Sequence, residues 1–230
     1  QTKAMLQAGG ESSTTIDSAV AQARKMADDN KQFSVAQHAH SILKLRSAVG
    51  DMHEAIELAP AFQRANSILS AAKDMKPGLK NLHVEDQAYD MARALEIKGV
   101  TRMGQTAIEG FTNSMTKAII GMSGQIDAGD FHNTFKYGRA ATRGWSQDFV
   151  QNYLPTLMNE FKSRGGKGGV QGPGNALMSM YSNVVDQRMT KPQRERWKKM
   201  GLIGKDGNVV GRGEFIENPY LWAQKYLAGG

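Results

Sequence analysis

Between Ser34 and Gly50 the chain spells out one complete helix, and units of this kind recur along most of its length. Val35, Ala39, Ile42, Leu45 and Val49 fall on one face at the three-and-four spacing of an α-helix. Ser34 stands where an N-cap hydroxyl accepts from the first free backbone N–H groups, and Gly50 stands just past the end, where a left-handed residue closes a helix. A chain patterned this way buries its apolar stripes by laying helices against partners.

The next signals follow the same grammar. Asp51 opens a stretch with Met52, Ile56 and Ala59 on one stripe. Pro60 should kink it or start a new helix, and Ala65, Ile68, Leu69, Ala72 and Met75 continue until Pro77-Gly78 stops the pattern. Residues 85–98 predict a third helix with Ala88, Met91, Ala92 and Leu95 inward and Gly99 closing it. Residues 102–122 predict a fourth, lined by Ile108, Phe111, Met115, Ile119 and Met122, with Gly124 as C-cap. Asp127 caps the next, with Asp130 third in it and Phe131 and Phe135 one turn apart. Ser146 caps another, flanked by Trp145 and Val150 in staple positions, and Pro155 should bend it. Its stripe is Val150, Tyr153, Leu154, Leu157, Met158 and Phe161.

Residues 163–174 (SRGGKGGVQGPG) then place six glycines in twelve positions, which reads as a flexible loop and the first site of proteolysis, near Arg164 or Lys167. Leu177, Met180, Tyr181, Val184 and Val185 mark a further helix. Thr190 and Gln193 form a capping-box pattern for a short basic helix ending at Gly201. Asp206-Gly207 is a hairpin signal, and Asn218-Pro219 opens a last helix carrying Tyr220, Trp222, Tyr226 and Leu227. The expectation is an all-α, multi-helix fold with one small β-hairpin near residues 202–210. It divides into an amphipathic helical segment over 1–80 and a helical module over 81–230, the latter with the Gly-rich loop and a basic C-terminal part.

Composition agrees. Leu, Ile, Val and Phe supply only 44 of 230 residues, and 26 Ala with 13 Met, strong helix formers, take their place. Cysteine is absent, which removes disulfides, thiol nucleophiles and Cys-based metal sites. No apolar run approaches the ~18 residues of a membrane span, and residues 1–10 contain no apolar core of a secretory leader. A first residue of Gln reads as a piece of something longer.

Charge is placed unevenly. Residues 1–100 carry 12 basic and 12 acidic side chains, residues 101–160 carry 5 and 5, and residues 161–230 carry 12 and 5. The net +7 therefore belongs to the last 70 residues, which points to an acidic partner surface or nucleic acid for that part.

Catalytic patterns are missing. His38 and His40 are two apart, so on a helix they diverge by about 200° and cannot share an ion. Gly121-Met122-Ser123-Gly124 sits at a helix end and lacks the spacing of a nucleophile elbow, and Lys167 lies in no P-loop order. Glu54 and Glu57 are helix neighbours and Glu11-Ser12 is isolated, whereas glycoside hydrolysis needs two carboxylates facing across a cleft. No enzyme activity, metal or cofactor is expected. The strongest polar feature is Arg188, Lys191, Arg194, Arg196, Lys198 and Lys199 with Trp197 among them. It can contact a partner or nucleic acid, the cations neutralising phosphates and Trp197 stacking on bases. The plainer reading is a solvated helix with Trp197 packed inward and its last lysines complementing the helix dipole.

At FHNTFKYGRAATRGWSQDFVQNYLPTLMNEF (131–161) the chain resembles the tail tape measure proteins of tailed bacteriophages. The resemblance continues in order through GPGNALMSMYSNVVDQRM (172–189), KKMGLIGKDGNVV (198–210) and ENPYLWAQKYL (217–227), and spans roughly 50–230; extra length at 163–172 departs from it. It implies a structural role: a segment of the helical ruler that sets tail length and templates tube assembly, in the virion tail and, during assembly, in the host cytoplasm. Implied partners are tail tube proteins, tail assembly chaperones and baseplate or tip proteins. On a rod, Met52, Ile56, Ile68, Leu69, Met91, Leu95, Met103, Ile108, Met115 and Met122 make more apolar stripe than residues 1–125 can bury. Self-association or an elongated monomer is expected on that ground.

Overall fold

Capping chemistry sets the helix ends. The computed structural model describes Ala4, Gln7 and residues 10–163 and 172–227, and the chain's contacts divide it into two compact units, residues 1–132 and 133–230. The division expected at residue 80 is therefore not where packing divides the chain. Residues 84–121 supply helices that pack back onto the earlier ones, and no local signal in the sequence records that return.

The first unit contains α1 (Ser13–Asp29), α2 (Val35–Val49), α3 (Met52–Met75), α4 (Val84–Lys98), α5 (Gln105–Gly121) and the start of α6 (Ala128–Gly138). Ser34 caps α2 as expected. Its hydroxyl accepts from the Gln37 N–H at 3.3 Å, its own N–H donates to Gln37 Oε1 at 2.8 Å, and Gly50 closes the helix at φ 85°. Ser34→Ala removes the hydroxyl half of this box and should lower stability by about 1 kcal/mol, read in urea denaturation. Asp51 caps α3, Gly99 ends α4 at φ 80°, and Asp127 and Asp130 cap α6 reciprocally at 2.9 and 3.0 Å.

Helix α3 packs against α1, α2, α4 and α5 and is the axis of the unit. Pro60 neither ends it nor starts a new helix: α3 runs unbroken for 24 residues. Ala55, Leu58, Ala59, Ala61 and Phe62 are buried on both sides of the proline, and that packing outweighs the one backbone bond it cannot make. The surplus of apolar stripe does not exist either. Met52, Leu69, Met91, Leu95, Ile108 and Met115 are all buried inside this unit; of the other four, only Ile68 (42%) and Met103 (63%) are exposed. The ground for expecting a rod or self-association therefore falls for residues 1–132. Side-by-side helices cover one another's stripes without a second chain.

The second unit holds the end of α6, a 3₁₀ segment Arg139–Gly144, a π-helical turn Phe149–Tyr153, α7 (Leu154–Ser163), α8 (Gly172–Val184), α9 (Lys191–Lys199), α10 (Arg212–Glu217) and α11 (Pro219–Leu227). The Ser146 hydroxyl accepts from the Phe149 N–H at 3.1 Å, as its cap role required. Trp145 lies edge-on to Phe135 and Phe149 at ring separations of 5.7 and 5.2 Å. Pro155 is expected to bend its helix; the turn before it is π-helical, which makes room for a ring that would strike the carbonyl four residues back.

Two features differ from expectation. The hairpin is a single antiparallel bridge between Ile203 and Val209, and no strand forms among the described residues. Around it the Val210 N–H donates to Leu202 O at 3.0 Å and the Gly204 N–H to Asn208 O at 2.8 Å. The Leu202 N–H is taken by Trp197 O at the close of α9, however, and Gly211 already caps α10, which confines the pairing to residues 202–210. The ends of the stretch read as a Gly-rich loop are helical. Ser163 ends α7 and Gly172–Gly174 open α8 with Pro173 and Gly174 buried, while residues 164–171, with Arg164 and Lys167, lie outside the described residues. Gly174 serves close packing. A Cβ there would stand 2.4 Å from Thr134 O and 2.9 Å from Gly138 N, both backbone atoms. Gly174→Ala must push α8 off α6 and should cost about 1–3 kcal/mol in denaturant unfolding.

Candidate partner-contact helix

Helix α9 begins at Thr190, whose hydroxyl accepts from the Gln193 N–H at 3.4 Å, with Pro192 in the first turn. At 100° per residue, Trp197 and Arg194 share one side of this helix, Arg196 and Lys199 lie on the opposite side, and Lys191 and Lys198 flank Arg194. The fold uses the first side as structure. Trp197 packs against a core of Val184, Val209, Phe215 and Trp222, its ring 6.3 Å from that of Trp222. Arg194 donates from Nη2 to the Gly207 carbonyl at 2.8 Å and so fastens α9 to the turn that follows it. Neither is offered to a partner.

The other side is open. Arg188, Lys191, Arg196, Lys198 and Lys199 are exposed, as is Lys205 beyond the helix, which the sequence reading omitted. Glu195 is the one acid within α9 and sits 3.2 Å from Lys198, an exposed pair of small energetic value. The seven residues singled out from sequence thus separate into two structural side chains and five surface cations. Trp197 is partly buried against the core and so is not a free stacking platform, whereas the five cations are open to contact by point charge.

Titratable groups in the first unit serve the fold. Glu11 receives Arg46 Nε at 2.5 Å, tying the start of α1 to the end of α2, and Glu57 faces His53 at 3.5 Å on the surface of α3. Burial pushes the Glu54 carboxyl up from its ordinary range, partly offset by its bond with Thr101. His38 is 2% exposed and bordered by a cleft of about 600 Å³ that Phe33, Phe62 and Lys44 also line. Its Nε2 lies 3.0 Å from Gln63 Nε2. Burial pulls its pKa below 6.5, and a bond to the Asn30 backbone works the other way. A ring proton on Nδ1 serves Asn30 and leaves the Nε2 lone pair to accept from Gln63, so the neutral form fits this site.

The sign of the resulting pH effect is definite. Above pH 6.5 the ring is neutral folded or unfolded. As pH falls below 6.5 the unfolded chain gains the proton first, so stability drops. Thermal unfolding midpoints should fall between pH 7 and pH 5, and His38→Gln should flatten that fall. An unchanged slope would remove His38 as its source.

Among the described residues, no helix is long and apolar enough to cross a membrane, and no group of three His, Cys, Asp or Glu side chains could hold a metal ion. No family model, curated protein or solved structure matches this chain.

Proposed function

We propose that this chain is a non-catalytic helical module of a phage tail tape measure protein, acting in tail assembly through tail tube proteins, assembly chaperones and baseplate or tip proteins. The observation that carries this reading is the ordered set of four sequence blocks at 131–161, 172–189, 198–210 and 217–227. Their spacing supports it further, because nearly all of those residues belong to one packed unit. Trp145 and Phe149 come from the first block, Leu177 and Val184 from the second, Val209 from the third and Trp222 from the fourth, and all are buried. The second, third and fourth blocks share one core through Val184, Val209 and Trp222, which gives them a physical reason to keep their order.

The role read for it is that of a folded module within a longer ruler: side-by-side packing in residues 1–132 leaves little of that segment to act as extended length. An in-frame deletion of residues 133–227 from the parent gene, followed by electron microscopy of lysates, tests the proposal. Missing tails or tails of altered length are expected. Normal tails on infectious particles would overturn it.

A further inference from the structure

The division into units sharpens the charge asymmetry. Residues 1–132 carry 14 basic and 15 acidic side chains, and residues 133–230 carry 15 and 7. The second unit alone thus holds a net +8, and the first is close to neutral. Two of the seven acids are already engaged by lysines: Glu195 lies 3.2 Å from Lys198 and Glu214 is held by Lys225 at 2.8 Å. The cationic surplus is therefore not neutralised within the unit.

On α9 that surplus is directed. Trp197 and Arg194 are engaged by the fold, whereas Arg196 and Lys199 on the opposite side and Lys191 and Lys198 on the flank are exposed, with Arg188 just before the helix and Lys205 after it. Lys191 and Lys199 are eight residues apart, about 12 Å along the axis at 1.5 Å per residue, which matches the ~12 Å width of a B-DNA major groove.

We propose that the exposed cationic side of residues 188–205 binds the phosphate backbone of nucleic acid, without reading bases. A polyanion of regularly spaced charge fits this surface better than an acidic protein. The one large apolar side chain within Lys191–Lys199, Trp197, packs against the core, and Met200 just beyond is a single exposed anchor, fewer than protein interfaces rest on. Trp197, packed against the core, is not the free aromatic platform that single-strand binders use. Recognition through charge alone is sequence-independent and strongly salt-dependent. The inference stands apart from the tail reading and survives its failure.

The test uses the whole chain and a fluorescein-labelled 30-base-pair DNA duplex, with anisotropy read from 50 to 300 mM salt. Six phosphate contacts predict a log–log slope of about −5.4. Two duplexes of unrelated sequence should bind equally, and tryptophan emission should stay unchanged on adding single-stranded DNA. The triple variant Lys191→Gln, Arg196→Gln, Lys199→Gln changes only exposed side chains. It should weaken binding at least tenfold at 100 mM salt and make the slope shallower by about 2.7. Circular dichroism of that variant should match the parent, and Lys31→Gln, on the first unit, should bind as the parent does. Failure to bind at 50 mM salt would overturn the proposal. So would a triple variant that binds normally, or a preference for poly-glutamate over the duplex, which would assign the surface to an acidic protein.

Discussion

Lys98→Met should stabilise the protein by about 2–3 kcal/mol at pH 7 and leave its stability nearly unchanged above pH 10.5. Lys98 is the last residue of α4 and only 4% exposed, with its Nζ 4.6 Å above the Phe111 ring. Burial pulls its pKa down from 10.5 to about 8. Above 10.5 the amine is neutral in both states. As pH falls from 10.5 to 8 the unfolded chain takes up the proton and the folded chain resists it, so stability is lost across that window and stays lost at pH 7. At 1.36 kcal/mol per pKa unit the loss is about 3 kcal/mol, trimmed by the attraction between the ammonium and the ring. Methionine keeps the length of the stem and its contact with Phe111 without the charge. Urea denaturation at pH 7, 9 and 10.5 should show the gap between variant and parent closing as pH rises. A variant less stable than the parent at pH 7 would mean that the charged amine earns more from its surroundings than burial takes away.

Trp222→Ala should cost residues 133–230 about 4 kcal/mol. Trp222 is 1% exposed and lies against Phe215 at 5.3 Å edge-to-face and Tyr226 at 5.7 Å. Its indole N–H donates to the Val210 carbonyl at 2.8 Å, which fixes the turn before α10 to α11. Truncation removes the ring, opens a cavity and strands that carbonyl, effects that together reach roughly 3–5 kcal/mol for a buried tryptophan. Trp145 and Trp197 lie in the same unit and report on it by fluorescence. The urea midpoint they follow should fall by about 2 M or more, given a slope of about 1–2 kcal/mol per molar. A fall under about 0.5 M would show that this cluster is not what holds the unit together.

Helix ends were legible in the chain because capping is local. Ser34 with Gln37, Asp127 with Asp130, and Asn218 before Pro219 each satisfy backbone groups within four residues, and all three act in the structure as their spacing required. The all-helical class followed from the same signals together with the apolar period. The basic helix was equally plain, since its charges and its Thr190 cap are adjacent in sequence.

Whatever depended on a neighbour distant along the chain was decided elsewhere. Gly174 reads as loop until α6 is seen 2.4 Å from where its Cβ would stand, and Pro60 reads as a break until the helices around α3 hold the helix together across it. His38 and Lys98 look like surface residues on their own helices, and Gln63, 25 residues away, and Phe111 receive them inside. In the basic helix, only packing shows that Trp197 and Arg194 hold the fold and that the remaining cations are left for a partner. The physical reason is range: a cap or a period is satisfied within one or two turns, whereas burial and close approach depend on which surfaces the folded chain brings together.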